Sequence, residues 1–106
     1  NVSVFKILDN KSLEPGQEAH WTWNNANYGK SFFLEVLPLD VGSTATGFTH
    51  TTELEITRQW RKLITQQKKS SGDIGATGST ELEIHYVVKN VGKITAKYDV
   101  HLVQVG

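Results

Sequence analysis

The sequence predicts an all-β chain: an antiparallel sandwich of six to eight strands forming one domain over residues 1–106. Three observations carry this. In "ELEIHYVV" Leu82, Ile84, Tyr86 and Val88 alternate with Glu81, Glu83 and His85. In "ITAKYDVHL" Ile94, Ala96, Tyr98, Val100 and Leu102 alternate with Thr95, Lys97, Asp99 and His101. A period of two over such lengths marks strands with one face on a core and the other in water. Turn residues punctuate the chain at short intervals, as in "LEPGQ" and "KNVGK", and no stretch gives a convincing helical stripe. A length of 106 residues supports one core and not two.

Taken in order, "NVSVFKIL" reads as a first strand and "SLEPGQ" as a turn, with Pro15 fixing its own dihedral and Gly16 releasing the chain. "EAHWTW" is a strand that sets Ala19, Trp21 and Trp23 on one face and His20 and Thr22 on the other, so the two tryptophans are expected in the core. "SFFLEVLPL" is apolar on both sides, which predicts a central strand with Pro38 near its end. "TTELEITRQWRKLITQQKK" fits a helix through Leu54, Trp60, Leu63 and Ile64. It also fits a strand in which Leu54, Ile56, Trp60 and Ile64 share a face with Arg58 and Lys62. "TELEI" recurs at 52–56 and 80–84, which favours two antiparallel strands joined by "QQKKSSGDIGATGS". The Gly/Ser/Thr-rich stretches 40–47 and 68–79 are expected to be exposed loops.

For residues 80–105 the alternation predicts a hairpin closing at Asn90, Val91 and Gly92. Pairing Lys89 with Lys93 sets Val88 opposite Ile94 and Tyr86 opposite Ala96, keeping both apolar rows on one side. The switch of apolar residues to Val103 and Val105 predicts a bulge near the chain's end.

Charge and composition bound the function. Eleven lysines and arginines balance 11 aspartates and glutamates, so no net field draws the chain to nucleic acid or an anionic membrane. No apolar run reaches the roughly 20 residues of a spanning helix, and no membrane insertion is expected. The absence of cysteine removes disulfides, thiolate catalysis and Cys-based zinc sites. The chain starts at Asn1 and has no methionine, so it reads as a mature or excised fragment. A secreted or cell-surface setting in a bacterium is expected, with a cytoplasmic one also open. The serines and threonines show neither a nucleophile elbow nor a strand–loop–helix phosphate cradle, so no enzyme and no cofactor are expected.

Two stretches resemble a known family. "LEPGQEAHWTW" and "VVKNVGKITAKYDVHLV" look like the PG-turn strand and the V-x-N-x-G strand of bacterial immunoglobulin-like modules of the CARDB cell-adhesion-related type. The residues carrying it are Pro15, Gly16, Val88, Asn90, Gly92 and Ala96, and the match covers about a third of the chain. In that family the PG turn leads directly into the second motif, whereas here the two are far apart in sequence. The resemblance implies an immunoglobulin-like sandwich with a non-catalytic, surface-exposed accessory role.

The candidate ligand-binding residues are Asn24, Asn25, Asn27 and Tyr28, which follow the tryptophan strand and offer amides beside an aromatic ring at a sandwich end. In the hairpin register, His85 and Asp99, and Glu83 and His101, are diagonal neighbours; this outward row reads as a solvated charged face, and no metal ligands are assigned. His20 and His50 have no partner that the sequence identifies. Arg58, Arg61, Lys62, Lys68 and Lys69 have one interleaved aromatic, Trp60, and read as a charged, protected edge strand rather than a nucleic-acid surface. The expected function is a non-catalytic binding module for a carbohydrate or protein ligand. The alternative is a structural or homo-oligomer-forming unit that uses a sheet face or the long hairpin 53–88.

Overall fold

The computed structural model describes residues 1–42, 49–68 and 77–106. They form six strands: β1 (Val2–Leu13), β2 (Glu18–Ala26), β3 (Ser31–Leu39), β4 (Leu54–Lys68), β5 (Thr77–Asn90) and β6 (Ala96–Val105). These make two antiparallel three-stranded sheets, ordered β1-β6-β3 and β2-β5-β4. The all-β class and the strand reading of 53–66 therefore hold. Of the two expected loops, residues 43–48 and 69–76 lie outside the described residues. Lys68 and Thr77–Ser79, read as loop, continue the paired strands β4 and β5.

The inward rows of the two central strands make the core. Ile84, Tyr86 and Val88 of β5 and Tyr98, Val100 and Leu102 of β6 are all at most 1% exposed. One cluster joins Leu13, Tyr86, Val88, Tyr98 and Val100, with Trp21, Leu34, Leu54 and Ile56 packed against it. A second joins Phe32, Leu82, Ile84 and Leu102, with Trp23 and Ala26. Trp21 and Trp23 thus face the core as their parity requires, and Trp21 Nε1 donates to the Tyr98 hydroxyl at 3.0 Å.

The hairpin expected over 80–105 does not form. β5 and β6 lie in different sheets: Val88 pairs with Ala19 and Ile56 rather than Ile94, and Tyr86 with Trp21 and Gln59 rather than Ala96. The physical reason is that parity cannot separate a hairpin from an arch. Two alternating strands present their apolar rows to one core equally well side by side or facing each other across it. Asn90 decides the outcome. Its buried Nδ2 donates to the carbonyls of Leu13 at 2.9 Å and Ile94 at 2.8 Å, and its Oδ1 accepts from the Gly92 N–H at 2.9 Å. The Val91 N–H is taken by the Glu53 carbonyl at 3.0 Å, so the segment after β5 is bound to its surroundings and not to a β6 partner.

Three further expectations are corrected. β3 pairs only with β6 and is an edge strand, not a central one. Its second apolar side, Phe33, is 59% exposed on the outer face, and an edge tolerates Pro38. The bulge expected near the end of β6 is absent: Val103 and Val105 stay in register with both neighbours and point outward. The irregularities lie instead in β1 (Lys6 to Leu8 and Leu8 to Lys11), in β2 (Trp23 to Ala26) and in β4 (Ile56 to Arg58). The β4 bulge reverses that strand's parity. Leu54 and Ile56 face the core, while Trp60, paired with His85, and Ile64, paired with Glu81, lie on the outer face with Arg58 and Lys62.

The turn after β1 is built as its residues demand. Pro15 and Gly16 (φ 80°) occupy the central positions of a turn closed by the Gln17 N–H on the Glu14 carbonyl at 2.9 Å, a type II arrangement that requires a positive φ at the glycine.

Candidate functional site

Two surfaces bring chemistry-bearing side chains together. The first is where β2 turns into β3. Trp23 faces inward close to the bulge at Asn24 and Asn25, and the turn passes through Gly29 at φ 83°. Beneath it lies a pocket of about 140 Å³ lined by Phe5, Trp23, Asn27, Phe32, Leu102 and Gln104. Its walls are aromatic and aliphatic, and Asn27 and Gln104 add amide donors and acceptors. Phe5 is 45% exposed, and Tyr28, which follows Asn27 in the chain, is 62% exposed. Of the residues singled out from the sequence, Asn27 lines this pocket, Tyr28 follows it in the turn, and Asn24 is exposed on β2. The side chain of Asn25 lies outside the described residues. Sequence reading missed Phe5, Phe32 and Gln104, whose proximity depends on β1, β3 and β6 meeting in one sheet.

The second surface is the outer face of β2-β5-β4. Thr22, His85 and Trp60 stand in one cross-strand row, and His20, Val87 and Arg58 in the next. The His20 Nε2 is 2.9 Å from the His85 Nδ1, and the Thr22 hydroxyl is 3.2 Å from the same nitrogen. On the other side of the ring, His85 Nε2 is 3.0 Å from Glu83 Oε1. That contact assigns the His85 proton to Nε2, which donates to Glu83 and leaves Nδ1 as an acceptor for His20 and Thr22. Trp60 stacks on His85, with centroids 4.9 Å apart and planes 12° from parallel, and the Arg58 guanidinium sits 4.2 Å from the Trp60 ring centre. The outward tryptophan is thus Trp60, occupied by a cation and an imidazole.

The outward row expected from the hairpin register is dispersed. Glu83 and His85 are on β5, whereas Asp99 and His101 are on β6 in the other sheet, so neither His85–Asp99 nor Glu83–His101 is a neighbour pair. Asp99 is instead buried at the β1 bulge, where its Oδ1 accepts from the Asn10 N–H at 2.8 Å and its Oδ2 is 3.5 Å from Lys6 Nζ. The Asn10 N–H, with help from the Lys6 ammonium, holds its carboxyl below the usual aspartate range. His20, unpartnered in the sequence, finds His85; His50 lines a groove with Glu53, Gly92 and Ile94. Among the described residues, no three His, Asp or Glu side chains converge on one point as metal ligands. Also among them, no helix is long and apolar enough to cross a membrane. The basic strand β4 lies at a sheet edge, as its charges suggested.

Comparison with family models, with curated proteins and with solved structures gives no match.

Proposed function

We propose that this chain is a non-catalytic binding module with an immunoglobulin-like sandwich, working in a secreted or cell-surface setting, whose ligand seats at the β2–β3 end. The observation that carries it is the small pocket in which Trp23, Phe5 and Phe32 form apolar walls and Asn27 and Gln104 add amides, with the exposed Tyr28 next to Asn27 in the chain. Apolar walls with a few convergent polar groups are the usual make-up of a small-ligand site. A sugar ring fits that chemistry, since its C–H face packs on aromatics while its hydroxyls pair with amides. Contact between the two motif stretches favours the immunoglobulin-like reading: the Gly16 N–H donates to the Asn90 carbonyl at 2.9 Å, and the Asn90 N–H to Gln17 at 3.0 Å. The CARDB-type resemblance rests on the same residues.

The test is a glycan array with the parent and with an Asn27→Ala/Tyr28→Ala variant. The double variant is expected to lose binding while melting within a few degrees of the parent, because exposed turn side chains contribute little to stability. Equal binding by both proteins would move the site elsewhere.

A second reading, a homo-oligomer-forming unit, is favoured by the outer face of β1-β6-β3. There Val4, Val103 and Phe33 form one cross-strand row, with Val2 and Val105 beside it. Val2, Val4 and Phe33 are 65, 58 and 59% exposed. On this reading the solution mass exceeds the 11.8 kDa of one chain, and Phe33→Lys returns it to that value.

A further inference from the structure

We infer that His20 and His85 form an open, two-imidazole site for a divalent late transition-metal ion, with Cu²⁺ preferred over Zn²⁺. The two ring nitrogens that face each other are 2.9 Å apart. Two imidazole nitrogens each about 2.05 Å from one ion subtend about 90° at that separation, the cis angle of a tetragonal ion. A tetrahedral ion needs them about 3.3–3.4 Å apart, so Zn²⁺ binds only after the pair opens. The Irving–Williams order points the same way.

The His85 ring is already prepared as a ligand. Its Nε2 is 3.0 Å from Glu83 Oε1, the carboxylate–histidine arrangement that fixes a ligand's tautomer and ring orientation. Stacking on Trp60 fixes its plane. Its side chain is 14% exposed, and that of Glu83 20%, so both are held by packing. His20 is exposed and makes the adjustment: it moves its proton from Nε2 to Nδ1 and tilts, so that both lone pairs converge on the ion. No net proton is released, because each imidazole stays neutral. The Thr22 hydroxyl, 3.2 Å from His85 Nδ1, is placed to hold a metal-bound water. Of the nearby cations, Arg58 is drawn onto the Trp60 ring, and Lys62 stands opposite Glu83 in register.

The experiment is a titration of the untagged chain with Cu²⁺, Zn²⁺, Ca²⁺ and Mg²⁺, read by calorimetry and tryptophan fluorescence. One equivalent of Cu²⁺ is expected to bind and to quench the emission, since Trp60 lies 4.9 Å from the ligating ring. Zn²⁺ binds more weakly, and Ca²⁺ and Mg²⁺, which take oxygen ligands, not at all. His20→Ala and His85→Ala each weaken Cu²⁺ at least tenfold, and Glu83→Ala about tenfold through the ring it orients. Trp60→Phe, which keeps an aromatic ring against His85, loses most of the quench. Circular dichroism establishes folding of each variant. If His85→Ala does not fold, His20→Ala and His85→Gln decide the matter. Non-saturating binding, or affinity unchanged in folded His20→Ala, overturns the site and assigns the copper to the N-terminal amine or to the remaining histidines.

Discussion

At Asn90 one amide closes two connections. It reaches back to the carbonyl ending β1 and forward to that of Ile94, and it receives the Gly92 N–H. Gly92 sits in a crowded position, where a Cβ would stand 3.2 Å from the Glu53 backbone nitrogen. Asn90→Ala removes three hydrogen bonds, each contributing about 1 kcal/mol, and strands buried carbonyls, so urea unfolding should show a loss of about 3 kcal/mol. Asn90→Asp should be at least as harmful, since it replaces the donor by a charge facing two carbonyls. Residue chemistry also sets the pH limits. The pKa of Asp99 is lowered in the fold by the Asn10 N–H, so its contribution is present above about pH 4 and is lost as pH falls through its folded value. Burial raises the hydroxyls of Tyr86 and Tyr98. The native state keeps them protonated while the unfolded chain ionises near pH 10, so stability is present below about pH 10 and is lost above it. A melting-temperature profile should fall at both ends, and Asp99→Asn should flatten the acid limb only. A profile flat to pH 11 would contradict the tyrosine part.

Among the elements, the central strands β5 and β6 should hold amide protons longest, because both their edges are paired and their inward side chains are at most 7% exposed from Leu82 to Leu102 where they meet the core. Beyond Leu63 and Leu82, β4 and β5 continue as a two-stranded ribbon without β2, whose pairing ends at Ala26 with Leu82. A lone two-stranded ribbon is marginal in water, so amides of 64–68 and 77–81 should exchange orders of magnitude faster than those of 84–88. Equal protection along β5 would show the ribbon to be supported by something else. The same elements mark how far the sequence could be read. Strand identity was legible from the period of two, and the inward direction of Trp21 and Trp23 from the small Ala19 on their face. The antiparallel pairing of β4 with β5 was legible from the recurring "TELEI"; the separation of β5 from β6 was not, because their apolar rows satisfy a hairpin and an arch alike. The bulge at Ile56 to Arg58 leaves no compositional mark, so the outward turn of Trp60, and with it the His20–His85–Trp60 face, was hidden. Asn27 and Tyr28 were visible as turn chemistry; the Phe5, Phe32 and Gln104 walls came from strands remote in sequence.

The whole molecule is elongated: its extents are 73 × 30 × 18 Å and its radius of gyration is 19.0 Å, against about 13 Å for a compact domain of this length. The two core clusters end at Leu82 and Phe32, and the β4–β5 ribbon runs past them for five further residue pairs, which adds to the length. Leu63, the last large apolar residue of β4 on the inner face, is 56% exposed, so the ribbon buries little and the core does not depend on it. Replacing residues 64–81 by Asn-Gly would join Leu63 to Leu82, already paired, through a two-residue turn that matches strand twist. Small-angle scattering of this variant should give a radius of gyration smaller than the parent's, with the long dimension reduced. Its unfolding free energy should lie within about 1 kcal/mol of the parent's, because Ile64 is the only apolar side chain among the described residues removed, and it is only partly buried. Unfolding of the shortened chain would mean that the ribbon props the sheets apart or together in a way its exposed side chains do not suggest. Retention of the long dimension in a folded variant would place the extension in another part of the molecule.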